Sequence, residues 1–196
     1  MLCLILAYLS MTGQNYADYY KGDTLIKADK NTYSIKYTDL SKNKIAYIYV
    51  NNINNRKVNV KILWGAYILQ DRNVFSDVIR DIFTQEELKA MYNEQMAIFK
   101  PYPYLDCSRA FTFGVSVNKY TERIETFMVD FCDTPGRRNI SLKKIEQLES
   151  QLREKVRFKA YEGRIQFLKD ADVFFYDYVR VLFKDVIDDF GSLKEQ

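Results

Sequence analysis

Histidine is entirely absent from the 196 residues of this chain. Histidine is the side chain that most often acts as a general acid or base near neutral pH, and it is also the commonest metal ligand. Its absence excludes serine–histidine and cysteine–histidine nucleophile systems and histidine-based zinc sites. Chemistry based on carboxylates or tyrosine remains open. We nevertheless expect a protein that is not an enzyme and that uses no cofactor.

Glycine is scarce, with 7 residues, and the glycine-rich motifs of phosphate-binding and dinucleotide-binding proteins do not occur. Gly114 and Ser116 stand in the tetrapeptide GVSV, which lacks the second glycine of a nucleophile elbow. Several acidic residues stand close together, as in 170–172 and 185–189, but they lie in charged segments. That setting favours a solvated surface over a catalytic carboxylate pair.

A block of basic charge is also missing, since 29 basic and 26 acidic residues are scattered along the chain and give a formal net charge of +3. Nucleic acids and anionic membranes are bound by concentrated positive fields. We therefore expect no nucleic-acid partner.

No apolar run is long enough to span a bilayer as a helix, so we expect no integral membrane span. The longest apolar run at the N-terminus, residues 2–9, has the length of a signal-peptide core and is followed by small and polar residues. Residues 1–14 are therefore interpreted as a signal peptide, although no Lys or Arg precedes the apolar run. The alternative is a buried hydrophobic terminus. Export predicts a periplasmic or secreted protein.

Only three cysteines are present, and two of them, Cys107 and Cys132, stand just outside a predicted β-hairpin. A turn centred between Lys119 and Tyr120 would place the two cysteines opposite each other. An oxidising compartment would then allow a disulfide that closes the base of the hairpin. Two separate free thiols are the other interpretation, and the pattern leaves both open.

The composition, 47% hydrophobic and 28% charged, is typical of a globular protein, and the length suits one domain, which we place at residues 32–190. Residues 15–31 are tyrosine-rich and polar and predict a loosely ordered lead-in. Residues 32–70 alternate apolar and polar side chains in three short runs separated by asparagine-rich breaks, which predicts a meander of consecutive strands. Trp64 and Tyr67 follow the third run. They are candidates for ligand contact, or else rings that anchor the meander.

Residues 73–161 predict a core of helix, helix, hairpin, helix and strand. Apolar spacing indicates helices over 73–82, 84–99 and 141–155, with Thr84 and Glu87 as a capping box and Ser141 as a cap. Strict alternation over 111–117 and 124–131 indicates the two hairpin strands. Residues 165–190 predict a C-terminal strand and tail, although 174–183 also satisfies a helical pattern. The expected fold class is α+β, with the meander and hairpin forming an antiparallel sheet against two main helices.

The order of these central elements resembles that of the C-terminal domain of TonB-type energy transducers. The leader, the NNINN turn, the FTQEEL cap and the ISLKKIEQLESQL helix are similar to small secreted proteins of an uncharacterised family from Gram-negative gut anaerobes. Neither resemblance implies functional residues.

Two hypotheses about function follow. In the first, the protein is a non-catalytic domain that binds another periplasmic or cell-envelope protein, with a bare edge strand pairing with a peptide segment. In the second, it binds or modifies glycans with Trp64, surface tyrosines and acidic residues. The second requires a concave site that joins an aromatic face to two carboxylates.

Overall fold

The structure is a computed structural model that describes residues 24–40, 45–54, 60–62, 66–102, 107–162 and 172–193. Its elements follow in chain order: β1 Thr24–Lys27, β2 Thr32–Leu40, β3 Ile45–Asn52, β4 Val60–Ile62, β5 Tyr67–Leu69, α1 Asn73–Ile82, α2 Gln85–Phe99, β6 Arg109–Asn118, β7 Arg123–Cys132, α3 Pro135–Arg138, α4 Leu142–Lys155, β8 Phe158–Ala160, β9 Val173–Leu182 and α5 Phe190–Leu193. A 3-10 turn, Phe183–Asp185, separates β9 from α5. The proposed signal peptide lies outside the described residues.

Seven strands form one sheet in the order β1-β2-β3-β7-β6-β9-β4, and β5 and β8 form a separate two-stranded sheet. Every pair in the large sheet is antiparallel except β4 with β9. The predicted α+β class is confirmed. No helix in the described parts of the chain is both long and apolar enough to cross a membrane.

Two predictions about the N-terminal strands are wrong. In the segment 15–31, expected to be loosely ordered, the described part begins with β1, which pairs with β2 from Thr24↔Ile35 to Lys27↔Thr32. The run at 58–62 does not continue the meander beside β3, because β4 lies at the opposite edge of the sheet, parallel to β9. Period-two patterns identify strands but carry no information on their neighbours, so the pairing was assigned by sequence order alone.

The predicted hairpin is confirmed as β6 and β7, and residues 173–182 form a strand rather than a helix. The hairpin turn spans residues 119–122, and Glu122 adopts a left-handed backbone conformation with φ of 53°. A bulge between Ser116 and Val117 shifts the pairing of β6 with β7 by one further residue. The turn is anchored at both sides, because the Glu122 carbonyl accepts from the Phe158 N–H at 3.0 Å and the Lys119 N–H donates to the Asp172 carbonyl at 2.9 Å.

Helices α2 and α4 begin directly after the residues predicted to cap them. The Thr84 side chain accepts from the Glu87 N–H while the Glu87 carboxylate accepts from the Thr84 N–H, which completes the predicted capping box of α2. Ser141 caps α4 by accepting from the Lys144 N–H at 3.2 Å. The Lys144 ammonium also reaches the Glu87 carboxylate at 2.5 Å, so the N-termini of α2 and α4 are joined by an ion pair.

Aromatic rings fill the space between the sheet and the helices. Phe113 of β6 packs against Phe75 of α1 with centroids 5.3 Å apart, and Phe111 packs against Phe83 at 5.4 Å. All four rings are buried, and aromatic pairs at these separations add stabilisation beyond their buried area. The hairpin therefore forms the centre of the core, as the alternation predicted.

One charged side chain lies inside this core. Arg137 of α3 is fully buried, and none of its three guanidinium nitrogens has a hydrogen-bond partner. Its guanidinium carbon lies 5.6 Å from the ring centroid of Phe111, 6.0 Å from that of Phe131 and 5.4 Å from that of Phe183. Burial lowers the pKa of Arg137 to about 10. Cation–π contact with three rings thus compensates in part for the desolvation of this charge.

Replacing Arg137 tests how much its buried charge lowers the free energy of unfolding. Arg137→Met keeps most of the volume and removes an unpaired buried cation, so the free energy of unfolding should stay the same or rise. Arg137→Ala leaves a cavity and should be less stable than Arg137→Met by about 2–5 kcal/mol. Urea denaturation measures both. A large loss in Arg137→Met would mean that the guanidinium makes stabilising contacts that the rings do not account for.

Candidate functional sites

The structure describes one of the two aromatic residues proposed as ligand contacts. Trp64 lies outside the described residues. Tyr67 is 4% exposed, its ring packs against Phe174 at 6.4 Å, and its hydroxyl is buried without a hydrogen-bond partner. Burial raises the pKa of Tyr67 to about 12. The structure therefore places Tyr67 in the core, as the ring that joins the small sheet to β9.

Cys107 and Cys132 are both free thiols. The predicted hairpin register is wrong by three residues, because Thr112 pairs with Asp130 and the same register places Ala110, not Cys107, opposite Cys132. The four-residue turn at 119–122 accounts for two residues of this displacement, and the bulge between Ser116 and Val117 accounts for the third. The Cys107 thiol instead donates to the Met96 sulfur at 3.2 Å, and burial raises the pKa of the Cys132 thiol to about 11. In this structure Cys107 and Cys132 are therefore two separate thiols, which is the second of the two interpretations.

A polar cleft of about 550 Å³ lies between the β1–β2 turn, the end of β3 and one face of α4. All twelve side chains that line it are polar or charged, and none is aromatic. Two of them, Glu146 and Glu149, are buried carboxylates one helical turn apart on α4. The glycan hypothesis requires two carboxylates beside an aromatic face, so this cleft supplies only half of that arrangement.

The Glu149 carboxylate is saturated by hydrogen bonds from other parts of the fold. It accepts from the Tyr33 hydroxyl of β2 at 2.7 Å and from the Asn52 amide of β3 at 2.9 and 3.0 Å. Arg153 donates to it from Nε at 2.9 Å and Nη2 at 2.7 Å, and the Arg153 Nη1 reaches the carbonyls of Ile124 and Glu125 in β7. Burial, followed by the Glu149 charge, raises the pKa of Tyr33 above its usual range.

Glu146 likewise binds the turn between β1 and β2 to α4. One of its oxygens accepts from the backbone N–H groups of Lys30 and Asn31 at 2.9 and 2.8 Å, and from the Asn31 amide at 3.2 Å. Both carboxylates therefore bind the protein's own backbone and side chains. This is the arrangement of a structural clamp, and it leaves Glu149 no vacant lone pair for acid–base chemistry.

Sequence analysis missed the clamp, although a signal existed. Ile145, Leu148 and Leu152 mark the inward face of α4, and position 149 lies on that face, four residues after Ile145. A glutamate at such a position must find buried partners, and Arg153, four residues further on, is one of them. The strand partners Tyr33 and Asn52 could not be identified from sequence.

The outer side of β9 is the second candidate site. Only residues 173–175 of β9 pair with β4, and no other described strand pairs with the outer side of residues 176–182. The N–H groups of Tyr178 and Leu182 face away from β6, since they donate to the carboxylates of Asp177 at 2.7 Å and Asp185 at 3.1 Å. Backbone directions alternate along a strand, so the N–H and carbonyl of Arg180 also face outward. We call the backbone of residues 178–182 the β9 edge.

Within the β9 edge, the side chains of Tyr178 and Arg180 lie on the sheet face opposite the helices, whereas Val179 and Val181 pack towards the core. Register places Lys36, Tyr49, Asp130, Thr112 and Arg180 in one row across five strands, from β2 to β9. The next row includes Gly114 and Tyr178, whose ring lies over the glycine and would be 3.3 Å from an added Cβ. Tyr178 is 46% exposed and Arg180 is exposed, so this end of the row is open to solvent.

Comparisons with known proteins show a fold and no activity. No protein-family model matches the sequence, and no curated protein matches it. The chain is similar to a DUF5043 family protein from Bacteroides uniformis, known from a crystal structure, with a TM-score of 0.51 and 16% identity. The similarity covers 83% of this chain and 84% of that chain. At this identity it shows the fold alone, and it agrees with the resemblance to an uncharacterised family of gut anaerobes.

The resemblance to a TonB C-terminal domain gains no support from this neighbour. The expected order of helix, strand, strand, helix and strand does occur, as α2, β6, β7, α4 and β8. However, β8 does not join the hairpin, because it pairs with β5 in the small sheet. Element order alone is a weak criterion for a fold.

The clamp predicts an uneven response to two matched substitutions on α4. Glu149→Ala leaves Arg153, Tyr33 and Asn52 without their buried partner and should lower the free energy of unfolding by about 3–5 kcal/mol. Glu154→Ala, at an exposed position of the same helix, should change it by no more than about 0.5 kcal/mol. Urea denaturation of both variants measures the difference. Equal effects would show that the hydrogen bonds of Glu149 contribute no net stability.

Tyr67 predicts a difference in alkaline stability. Because its folded-state pKa of about 12 exceeds its ordinary value of 10, its contribution is full below pH 10 and is lost as the pH rises towards 12. Tyr67→Phe should therefore lose less stability than the wild type over that interval. Near pH 7 the variant should equal or exceed the wild type, because an unsatisfied buried hydroxyl is removed. Denaturation curves measured between pH 7 and 12 test both expectations, and parallel curves would contradict the first.

Proposed function

We propose that the protein is an exported, non-catalytic domain that binds an extended segment of another cell-envelope protein along the β9 edge. The observation that carries this proposal is the outward-facing backbone of Arg180, which no described strand pairs with. Sheet edges of this kind bind peptides by strand addition, in which main-chain hydrogen bonds give affinity and side-chain contacts give specificity.

The hydrogen-bonding groups of the edge define how a segment would bind. The N–H groups of Tyr178 and Leu182 are occupied by Asp177 and Asp185. A binding segment would therefore pair with both groups of Arg180 and with the carbonyls of Tyr178 and Leu182. The two carboxylates also hinder indiscriminate pairing between copies of the protein, as charged side chains on natural edge strands do.

The non-catalytic part of the proposal is supported by the chemistry of the chain. Histidine is absent, and the buried carboxylate Glu149 is fully engaged in the clamp. The apolar run 2–9 supports export. The glycan hypothesis receives no comparable support, because the described lining of the polar cleft contains no aromatic ring and Trp64 lies outside the described residues.

A proline at the centre of the edge tests strand addition. Arg180→Pro removes the outward N–H without removing a bond to β6, whereas Arg180→Lys keeps both the N–H and the charge. Random twelve-residue peptides selected on the wild type by phage display should bind Arg180→Pro about tenfold more weakly and Arg180→Lys almost unchanged.

Hydrogen exchange provides a measurement that does not depend on a variant. Binding of a selected peptide to the wild-type protein should slow exchange of the Arg180 amide, since that amide acquires a main-chain partner. Thermal unfolding of Arg180→Pro establishes that the variant is folded. Peptides that bind Arg180→Pro and Arg180→Lys equally, and leave the Arg180 amide unprotected, would refute the proposal.

A further inference from the structure

We propose that the segment bound by the β9 edge carries an aspartate or glutamate directly opposite Arg180, with non-acidic residues at the positions on either side. This inference rests on the proposed function, because it names the chemistry of the partner at that same edge.

A group of charged side chains lies beside the edge. The Asp130 carboxylate interacts electrostatically with three guanidinium groups, those of Arg109, Arg137 and Arg180. Burial is the largest influence on Asp130 and raises its pKa, which the Thr112 hydrogen bond and the three arginines oppose. Arg137 is packed among core rings and also interacts with Glu94, so Arg180 is an exposed cation beside Asp130 on this face.

Arg180 is the member of this group that a partner can reach. Arg180 is exposed, whereas Arg137 is fully buried. Arg180 also forms no salt bridge with any described residue. It also lies on β9, so its side chain borders the position that an added strand would occupy. An acidic residue there would provide the second carboxylate of the row.

Strand geometry fixes where that acid must stand. Residues directly opposite on neighbouring strands have Cβ atoms about 4.5–5.5 Å apart, which suits an arginine–carboxylate pair. The residue two positions along the bound segment would lie opposite Tyr178, whose ring makes an edge-to-face contact with Phe175 at 5.3 Å. Aromatic or β-branched side chains pack well at such a position.

The neighbouring positions are governed by two further carboxylates. Asp177 and Asp185 hold the N–H groups on both sides of Arg180, and both lie along the edge. Acidic residues next to the central acid would approach these groups and be repelled. The expected partner is therefore a segment with one acid at the central position, and a uniformly acidic tail does not fit.

Charge reversal at Arg180 tests the inference. Random twelve-residue peptide libraries are selected in parallel on the wild type, on Arg180→Glu and on Lys159→Glu, which makes the same charge change at an exposed position of β8. The wild type and Lys159→Glu should enrich Asp or Glu at one position, and Arg180→Glu should enrich Lys or Arg there. Replacing that acid by lysine in a selected peptide should weaken binding to the wild type about two- to fivefold.

The outcomes separate this inference from the proposed function. Peptides that are sensitive to Arg180→Pro but have no acidic position would overturn the acidic partner and leave strand addition standing. The same acidic consensus on wild type and Arg180→Glu would also overturn it, since Arg180 would not be the determinant. Failure to select any peptide, or insensitivity to Arg180→Pro, would overturn both proposals together.

Discussion

The saturated carboxylate of Glu149 is the interaction on which the arrangement of the sheet and helices depends. Through Tyr33, Asn52 and Arg153 it joins α4 to β2, β3 and β7. A buried charge destabilises a fold unless its hydrogen bonds are complete, and here both oxygens have partners. The orientation of α4 is thereby tied to three adjacent strands, and Glu146 ties the same helix to the first turn.

The buried charge of Arg137 is accommodated in the opposite way. Its guanidinium has no hydrogen-bond acceptor and is surrounded by the rings of Phe111, Phe131 and Phe183. Gln95, whose amide oxygen is also buried without a partner, lines a cavity of about 10 Å³ next to two of these rings. The buried charge of Glu149 is therefore stabilised by hydrogen bonds, and that of Arg137 by aromatic packing.

Local signals predicted the local structure well. Apolar spacing and caps gave the bounds of α1, α2 and α4 within one residue, because capping by Thr84 and Ser141 involves only neighbouring residues. Alternation likewise identified β6 and β7. Pairing was predicted poorly: β4 lies at the far edge, β1 was missed, and a four-residue turn and a bulge displaced the hairpin register. These features depend on contacts between distant residues, which periodicity does not encode.

The candidate sites illustrate the same division. Tyr67 and Cys132 were selected as residue types, yet both are buried in the fold. Arg180 was not selected, because the role proposed for it depends on the position of β9 beside a three-residue strand that covers only one end of it. The possibility that β9 lies near an edge followed from its sequence position, but the outward direction of its backbone required coordinates.

The clamp also has a consequence for the order of folding during synthesis. The hydrogen bonds that Glu146 and Glu149 accept from β2, β3 and the β1–β2 turn join residues separated by 97 to 116 positions in the chain. A ribosome therefore releases β1, β2 and β3 long before the helix that secures them. Until α4 emerges, the early strands have only one another, and their hydrophobic face has no cover. Folding of this domain is consequently a late, nearly whole-chain event, and its nascent form is the state most in need of a chaperone.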